Sequence, residues 1–207
     1  MQLQCIIAFS LLLNFAACSR ARPPQPIKTA NNFFIKSSEN RKYNLACLFH
    51  GEEIVTGTGE KLSVIRYVAL RDNATGKELR YVPLDETSIS SSQGYFTSAW
   101  SPDEEYLVLP RGRFKGFCII KSGAAFESVE KNQCSDFIQI QATNETNLWH
   151  EFVKWNDDHT FIFKAGLSGD DFNFAYNLPK QELTALLPSA RSFTAENSKG
   201  KLDIQSR

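Results

Sequence analysis

Arg111, Arg113 and Lys115 alternate with glycine and phenylalanine and form the most unusual chemical feature of the chain. On an extended strand, side chains at every second position point to one face, so the three cations would lie together. Such a group suits a carboxylate, a phosphate-bearing glycan or an acidic protein surface. The competing interpretation is a solvated edge whose charges discourage aggregation. The segment therefore predicts either an anion or partner contact, or a protected edge.

The histidines His50, His150 and His159 are the candidates for acid–base chemistry. His150 and His159 flank Asp157 and Asp158, and the two imidazoles would meet if they faced each other across a hairpin. The same residue types also build tight polar turns. Paired histidines and the Cys-x-x-Cys spacing of zinc sites are both missing from the sequence. We therefore predict a turn at this position, with no metal and no cofactor.

Nucleophilic catalysis has little support in the sequence, which offers no convincing Gly-x-Ser-x-Gly or Ser-x-x-Lys signature. Cys47 and His50 are three positions apart, so on a strand they would point to opposite faces, which argues against thiol activation. Residues 57–63 lack the glycine spacing of a phosphate-binding loop. A hydrolase would need His150 or His159 within hydrogen-bond reach of a carboxylate or hydroxyl. The sequence favours a protein that is not an enzyme.

The N-terminal segment indicates export. Residues 1–17 carry no charge and end in two alanines before Cys18, and their apolar run is shorter than the roughly 20 residues that span a bilayer. This ending resembles the lipobox of bacterial lipoproteins, although Phe15 replaces the usual leucine and no Lys or Arg precedes the apolar run. The resemblance implies a cleaved signal peptide and a diacylglycerol on the Cys18 sulfur. Secretion without a lipid is the alternative.

The residues after Cys18 set its expected surroundings. Residues 18–32 include Pro23, Pro24 and Pro26, and we predict an extended linker that holds the body away from the membrane. Enteric lipoproteins that are retained at the inner membrane have Asp after the lipidated cysteine, and this chain has Ser19 there. The resemblance therefore implies the outer membrane, facing the periplasm or the exterior. Lys plus Arg and Asp plus Glu number 23 each, which argues against a nucleic-acid partner.

The cysteines indicate an oxidising compartment. With Cys18 lipidated, Cys47, Cys118 and Cys134 remain, and three thiols cannot all pair within one chain. We expect one disulfide and one buried free thiol. Cys118 with Cys134 closes the shortest loop and is the first choice. Two disulfides become available if Cys18 carries no lipid.

The body has the pattern of β-strands and turns. Residues 63–70 and 78–84 are apolar and aromatic runs on either side of a turn-forming segment at 72–76, which predicts a hairpin. Further strands are predicted at residues 106–109, 116–122, 149–155, 160–165 and 172–178. We expect one all-β domain over residues 33–190, a short helix after Pro179, and a flexible tail over residues 191–207.

Trp100 and Trp155 are each followed by a polar turn and an apolar strand. The stretch AWSPDEEYLVL resembles the opening of a Tol-type or WD-type β-propeller blade, and LRDNATGKEL resembles an outer blade hairpin. The chain offers three such units, whereas closed propellers have about four to eight blades. The resemblance therefore implies antiparallel meanders in an open or incomplete propeller. A β-sandwich or an irregular barrel is the alternative.

Three function classes follow. The first is a membrane-anchored extracytoplasmic lipoprotein that acts by protein–protein contact, as an envelope accessory factor or an inhibitor. It predicts an exposed apolar or charged patch on a sheet face or edge. The second is a glycan or small-ligand binder that uses aromatic side chains such as Trp149 and Trp155. The third is a hydrolase. The expected partners are the membrane, through the lipid, and an unidentified protein.

Overall fold

A computed structural model describes residues 29–55, 59, 61–84, 87–89, 99–112, 114–142, 148–167, 170–186 and 193–206. Cys18, Arg113 and residues 1–17 lie outside this part of the chain, so the predicted lipid attachment and one of the three predicted cations fall there. Antiparallel sheet dominates the described residues, which confirms the all-β prediction.

The strands form three five-stranded sheets. The first contains β1 (Thr29–Asn40), β2 (Leu45–Val55), β3 (Lys61–Asp72), β4 (Glu78–Tyr81) and β5 (Thr87–Ile89). The second contains β6 (Tyr106–Gly112), β7 (Gly116–Lys121), β8 (Asp136–Ala142), β13 (Phe193–Asn197) and β14 (Gly200–Leu202). The third contains β9 (Trp149–Trp155), β10 (Thr160–Leu167), β11 (Asp170–Asn177), β12 (Glu182–Ala185) and β15 (Ile204–Ser206).

The sheets are open meanders. The strand order of the first sheet is β1-β2-β3-β4, and β5 pairs with residues 63–65 of β3. The order of the second sheet is β14-β13-β8-β7-β6, and that of the third is β15-β12-β11-β10-β9. All pairings are antiparallel except the parallel pair of β12 and β15. No strand ladder joins one sheet to another within the described residues. A 3-10 turn at residues 122–124 and the helix α1 (Ala125–Glu130) connect β7 to β8.

The hairpin of β3 and β4 confirms the prediction made from its turn residues. The Asp72 carboxylate accepts hydrogen bonds from the backbone N–H groups of Ala74, at 2.7 Å, and Thr75, at 3.2 Å. Gly76 has φ +70°, a conformation that costs glycine little. The strand expected to run to residue 84 ends at Tyr81, because Pro83 has no N–H to donate to a ladder.

The polar turn and the apolar strand predicted after Trp100 and after Trp155 are confirmed, and the two strands are β6 and β10. Trp100 forms a bridge with Leu107, and Trp155 pairs with Phe161 at the start of β10. A polar turn separates the partners in both cases. The indole N–H of Trp100 also donates to the Ser38 carbonyl at 3.0 Å, which ties this turn to the first sheet.

One hydrophobic core is shared by the three sheets. Phe117 of β7 lies near its centre, with ring centroids 5.7 Å from Phe161 and 5.4 Å from Phe163 of the third sheet. Cys47 and Phe49 of β2 belong to the same cluster and are fully buried. Edge-to-face contacts between such rings add to the stabilisation that burial provides.

The predicted helix after Pro179 is wrong, because residues 182–185 form β12. The leucine spacing fits a helix, but a tight turn with Gln181 at φ +55° sends the chain back along β11. Leu183 is then fully buried opposite Tyr176, and β12 gains ladders on both sides. The short helix lies instead at residues 125–130.

The ends of the body also differ from the prediction. The segment expected to be a flexible tail contributes β13, β14 and β15, and its Ala195 and Asn197 are buried. β1 begins at Thr29, within the predicted linker, where it pairs with Ile54 of β2. In both places backbone pairing with another strand supplies the order that the composition of the segment does not indicate.

Candidate functional site

The cationic segment is a hairpin turn. Gly112 pairs with Gly116, and the Lys115 N–H donates to the Gly112 carbonyl at 3.1 Å. The prediction that Arg111 and Lys115 share a face assumed an extended strand, and the chain reverses between them, so that argument does not hold. Arg113 lies outside the described residues. Lys115 is exposed in the turn, whereas Arg111 lies in β6 and is half-buried.

Arg111 borders a cavity of about 380 Å³ between the first and second sheets. Its guanidinium carbon lies 4.0 Å from the centroid of the Phe137 ring, a cation–π contact. Its carbonyl accepts the Leu84 N–H at 2.7 Å, which connects the two sheets. We call this space the Arg111 cavity, and its other lining residues are Tyr81, Leu84, Asn132, Gln133, Cys134, Phe137 and Ser198.

The described residues that line the Arg111 cavity include a cation and no carboxylate. Among the described residues that line it, Arg111 is the one charged side chain. Burial raises the pKa of Tyr81 to about 12, so its phenol is neutral at physiological pH. The amides of Asn132 and Gln133 supply neutral polar groups. This combination suits an anion better than a cation.

The tyrosine gives a testable pH dependence. Because the folded-state pKa of Tyr81 is raised from 10 to about 12, its contribution to stability is complete below about pH 10 and is lost as the pH rises to 12. We expect the free energy of unfolding to fall over this range, and to fall less in Tyr81→Phe. Urea titrations between pH 8 and pH 12 measure this. Equal slopes in the two proteins would contradict it.

An exposed apolar strip lies next to the Arg111 cavity. Val82 and Leu84 are 55% and 60% exposed, whereas Tyr81 and Pro83 on the same segment are buried. We call residues 82–84 the Val82–Leu84 strip. The strand predicted from the sequence included these residues, so their exposure was not predicted. Pro83 was the available signal, since proline ends a paired strand.

The disulfide prediction is confirmed. Cys118 of β7 is bonded to Cys134 in the loop before β8, and Cys47 is a buried free thiol. Burial raises the pKa of the Cys47 thiol, so it stays protonated and inert. Cys47 lies in the main core, and His50 stacks on Tyr67 in a different cluster, as the strand alternation predicted.

Removing the disulfide tests its contribution. The double variant Cys118→Ala, Cys134→Ala is expected to lose about 3 kcal/mol of unfolding free energy, the usual value for a loop of about this length. Urea unfolding measures the loss. Dithiothreitol should destabilise the wild type by a similar amount and leave the double variant unchanged. A wild type that is insensitive to reduction would contradict the prediction.

His150 and His159 lie at opposite ends of the β9–β10 hairpin, so the two imidazoles do not meet across it, and the predicted turn at Asp157 and Asp158 is confirmed. His150 is buried opposite Ala165, and its Nε2 accepts the Ile140 N–H at 3.0 Å. That bond joins the third sheet to β8 of the second. His150 therefore has a structural role in the contact between two sheets.

His159 forms an exposed pair with a carboxylate. Its Nε2 lies 3.2 Å from Oδ2 of Asp103, which meets the distance required of a hydrolase. The other oxygen of Asp103 accepts the Ser101 hydroxyl at 2.5 Å. The carboxylate thus stands between the hydroxyl and the imidazole, whereas nucleophile activation needs the imidazole between them. The pair links a turn of the second sheet to a turn of the third.

Asp136 is a buried carboxylate that sequence reasoning missed. Its Oδ2 accepts the Tyr176 hydroxyl at 3.2 Å and the Gln181 amide at 2.8 Å. Its Oδ1 accepts the backbone N–H of Ser198 at 3.1 Å and the Ser198 hydroxyl at 2.5 Å. These partners come from distant segments, so no local pattern marks the site. A second cavity, of about 320 Å³, lies beside it and includes two lysines, Lys121 and Lys199.

Two further features bear on function. Within the described ranges, His, Cys, Asp and Glu side chains form no group of three or more that is able to hold a metal ion. None of the helices described is long and apolar enough to cross a membrane.

Comparison with protein-family models, with curated proteins and with solved structures found no match.

Proposed function

We propose that this chain is a membrane-anchored extracytoplasmic protein that acts by binding another protein through the Val82–Leu84 strip and the Arg111 cavity. The observation that carries the contact role is the exposure of two large apolar side chains beside a cation without an acidic partner in the described residues. Protein interfaces combine an apolar core with arginine, and arginine is enriched among the residues that contribute most of the binding energy.

The surroundings of the strip support this role. Tyr81 and Pro83 are buried and hold the backbone of the segment in place, and the bond from Leu84 N–H to the Arg111 carbonyl fixes its far end. The exposed side chains of Val82 and Leu84 are therefore presented on an ordered backbone. Binding to an ordered surface loses less conformational entropy than binding to a mobile loop.

The compartment is proposed from two observations. The disulfide between Cys118 and Cys134 supports an oxidising environment, because such bonds are rare where thiols are kept reduced. The lipobox-like ending supports acylation of Cys18 and an envelope location, and Ser19 in place of Asp favours the outer membrane. Mass spectrometry of the protein isolated from its native cell tests the anchor. An unmodified Cys18, or residues 1–17 still attached, would overturn it.

Site-specific photo-crosslinking tests the contact role. A photoreactive phenylalanine derivative replaces Val82 in the full chain in its native cell, and the matched control carries the same group at Lys154, an exposed position on β9. We expect one protein to crosslink from position 82 and not from position 154. Charge reversal in Arg111→Glu should lower the yield by about tenfold or more. The proposal fails if both positions give the same products.

A further inference from the structure

The geometry points to the Arg111 cavity as a receptor for the C-terminal carboxylate of a partner polypeptide whose last side chain is apolar. This inference rests on the proposed function and names the chemistry that the same site recognises. It follows from the charge, the apolar walls and the size of the cavity, together with the apolar strip beside it.

The charge of the cavity calls for an anion. The Arg111 guanidinium carbon lies 4.0 Å from the centroid of the Phe137 ring, and a guanidinium carries its N–H donors in the plane of the group. Two of those donors match the two oxygens of a carboxylate. The described residues give Arg111 no carboxylate of its own. The ligand would therefore supply the missing counter-charge.

The buried acid nearest in sequence to this wall does not neutralise Arg111. The Asp136 carboxylate is occupied by Tyr176, Gln181 and Ser198 and contributes to the lining of the other cavity. Ser198 lines both spaces, and its hydroxyl donates its hydrogen to Asp136. The two cavities therefore differ in charge: one has a buried carboxylate and two lysines, and the other has a single arginine.

The walls call for an apolar group next to the anion. Phe137, Leu84 and Cys134 line the same space as Arg111. A volume of about 380 Å³ is near the lower end of ligand pockets, which run from about 300 to 1,000 Å³. A C-terminal residue carries its carboxylate and its side chain on one carbon atom, so it brings both groups into a space of this size.

The strip outside the cavity favours a polypeptide over a free small acid. Val82 is 55% exposed and does not line the cavity, so an occupant no larger than the cavity would leave it uncovered. A chain that enters by its terminus continues outward and covers Val82. Capture of a terminal carboxylate is an established mode of peptide recognition.

Binding of model compounds tests the inference. The probes are N-acetyl-leucine, its uncharged amide N-acetyl-leucinamide, acetate, and a free pentapeptide that ends in leucine. Nuclear magnetic resonance on the full chain follows the Nε–H of Arg111 and the backbone N–H groups of Val82 and Leu84. We expect N-acetyl-leucine to bind about tenfold or more tightly than its amide, and the pentapeptide to bind more tightly again and to shift Val82.

Three variants control the experiment. Arg111→Met keeps the aliphatic stem and should abolish the preference for the acid over the amide, and Arg111→Lys should weaken it because a single ammonium cannot make the paired contact. Lys199→Met removes a cation from the second cavity and should leave binding unchanged. Far-ultraviolet circular dichroism and thermal unfolding show that each variant is folded. Should Arg111→Met unfold, Arg111→Lys and the acid–amide comparison still decide the question.

Each unfavourable result contradicts one part of the inference. Equal affinity for N-acetyl-leucine and its amide would contradict recognition of the carboxylate. Equal affinity for N-acetyl-leucine and acetate would contradict a contribution from the apolar wall. A pentapeptide that binds no more tightly than N-acetyl-leucine would contradict a polypeptide as the ligand. If crosslinking from position 82 identifies a partner but the acid is not preferred, this inference fails and the proposed function stands. If the acid binds but no partner is found, the proposed function fails and the carboxylate site stands.

Discussion

The variant Gly116→Ala is expected to lose about 3–5 kcal/mol of unfolding free energy. Gly116 has φ +72°, and a Cβ atom there would lie 1.9 Å from the Ile138 carbonyl oxygen and 2.9 Å from its carbon. The obstacle is the backbone of β8, so no side chain can rotate to relieve it. Because β7 and β8 pair at Phe117 and Ile138, the strands would have to separate at the centre of the core. Urea unfolding measures the loss.

Gly76→Ala is the matched control. Its φ of +70° imposes similar backbone strain, but a Cβ there meets nothing within 4 Å. The expected loss is only about 1–2 kcal/mol, the ordinary cost of a left-handed conformation for alanine. The difference between the two variants isolates the clash with Ile138. Equal losses would show that β8 does not approach Gly116 as closely as described.

Asp136→Ala is expected to lose about 3–5 kcal/mol, because removing the buried carboxylate takes the acceptor from several buried donors at once. The hydroxyl of Tyr176 and the Gln181 amide would lose their acceptor, and the turn at Ser198 would lose the anchor of its N–H. Since these groups come from the second and third sheets, the contact between the sheets should loosen. Urea unfolding gives the loss, and hydrogen exchange shows where protection falls.

Asp136→Asn is the conservative comparison. The amide keeps one acceptor oxygen but turns two N–H donors towards groups that also donate, so an intermediate loss is expected. Tyr176→Phe removes two hydrogen bonds, the one that its hydroxyl donates to Asp136 and the one that it accepts from the Asn197 amide, and should lose about 2 kcal/mol. If Asp136→Ala proved no worse than Tyr176→Phe, the carboxylate would not be the centre of the network.

Local chemistry explains which parts of the fold were predictable. The turn at Asp72 closes through its own side chain, and the Trp100 and Trp155 units are each followed by a turn of polar residues. Such segments specify their conformation from a few neighbouring residues. The pairing of Cys118 with Cys134 was predicted from the short loop between them, and the two cysteines form that disulfide.

Segments whose structure depends on distant partners were misread. Residues 182–185 carry a helical leucine spacing, yet they form a strand because β11 and β15 lie on either side. Residues 193–206 look polar and weakly patterned, yet they pair with β8 and β12. Ladder bonds outweigh local preference in both segments, and a single sequence does not reveal which strands will be neighbours.

The sequence by itself determined the class of the molecule, an all-β body, and it pointed to the disulfide between Cys118 and Cys134. Only the tertiary structure decided which groups meet. It placed Arg111 over Phe137 beside Leu84, and Asp136 among donors from two sheets. The reason is physical, since turns and alternation arise from neighbours along the chain, whereas a binding cavity or a buried charge is made by residues that folding alone brings together.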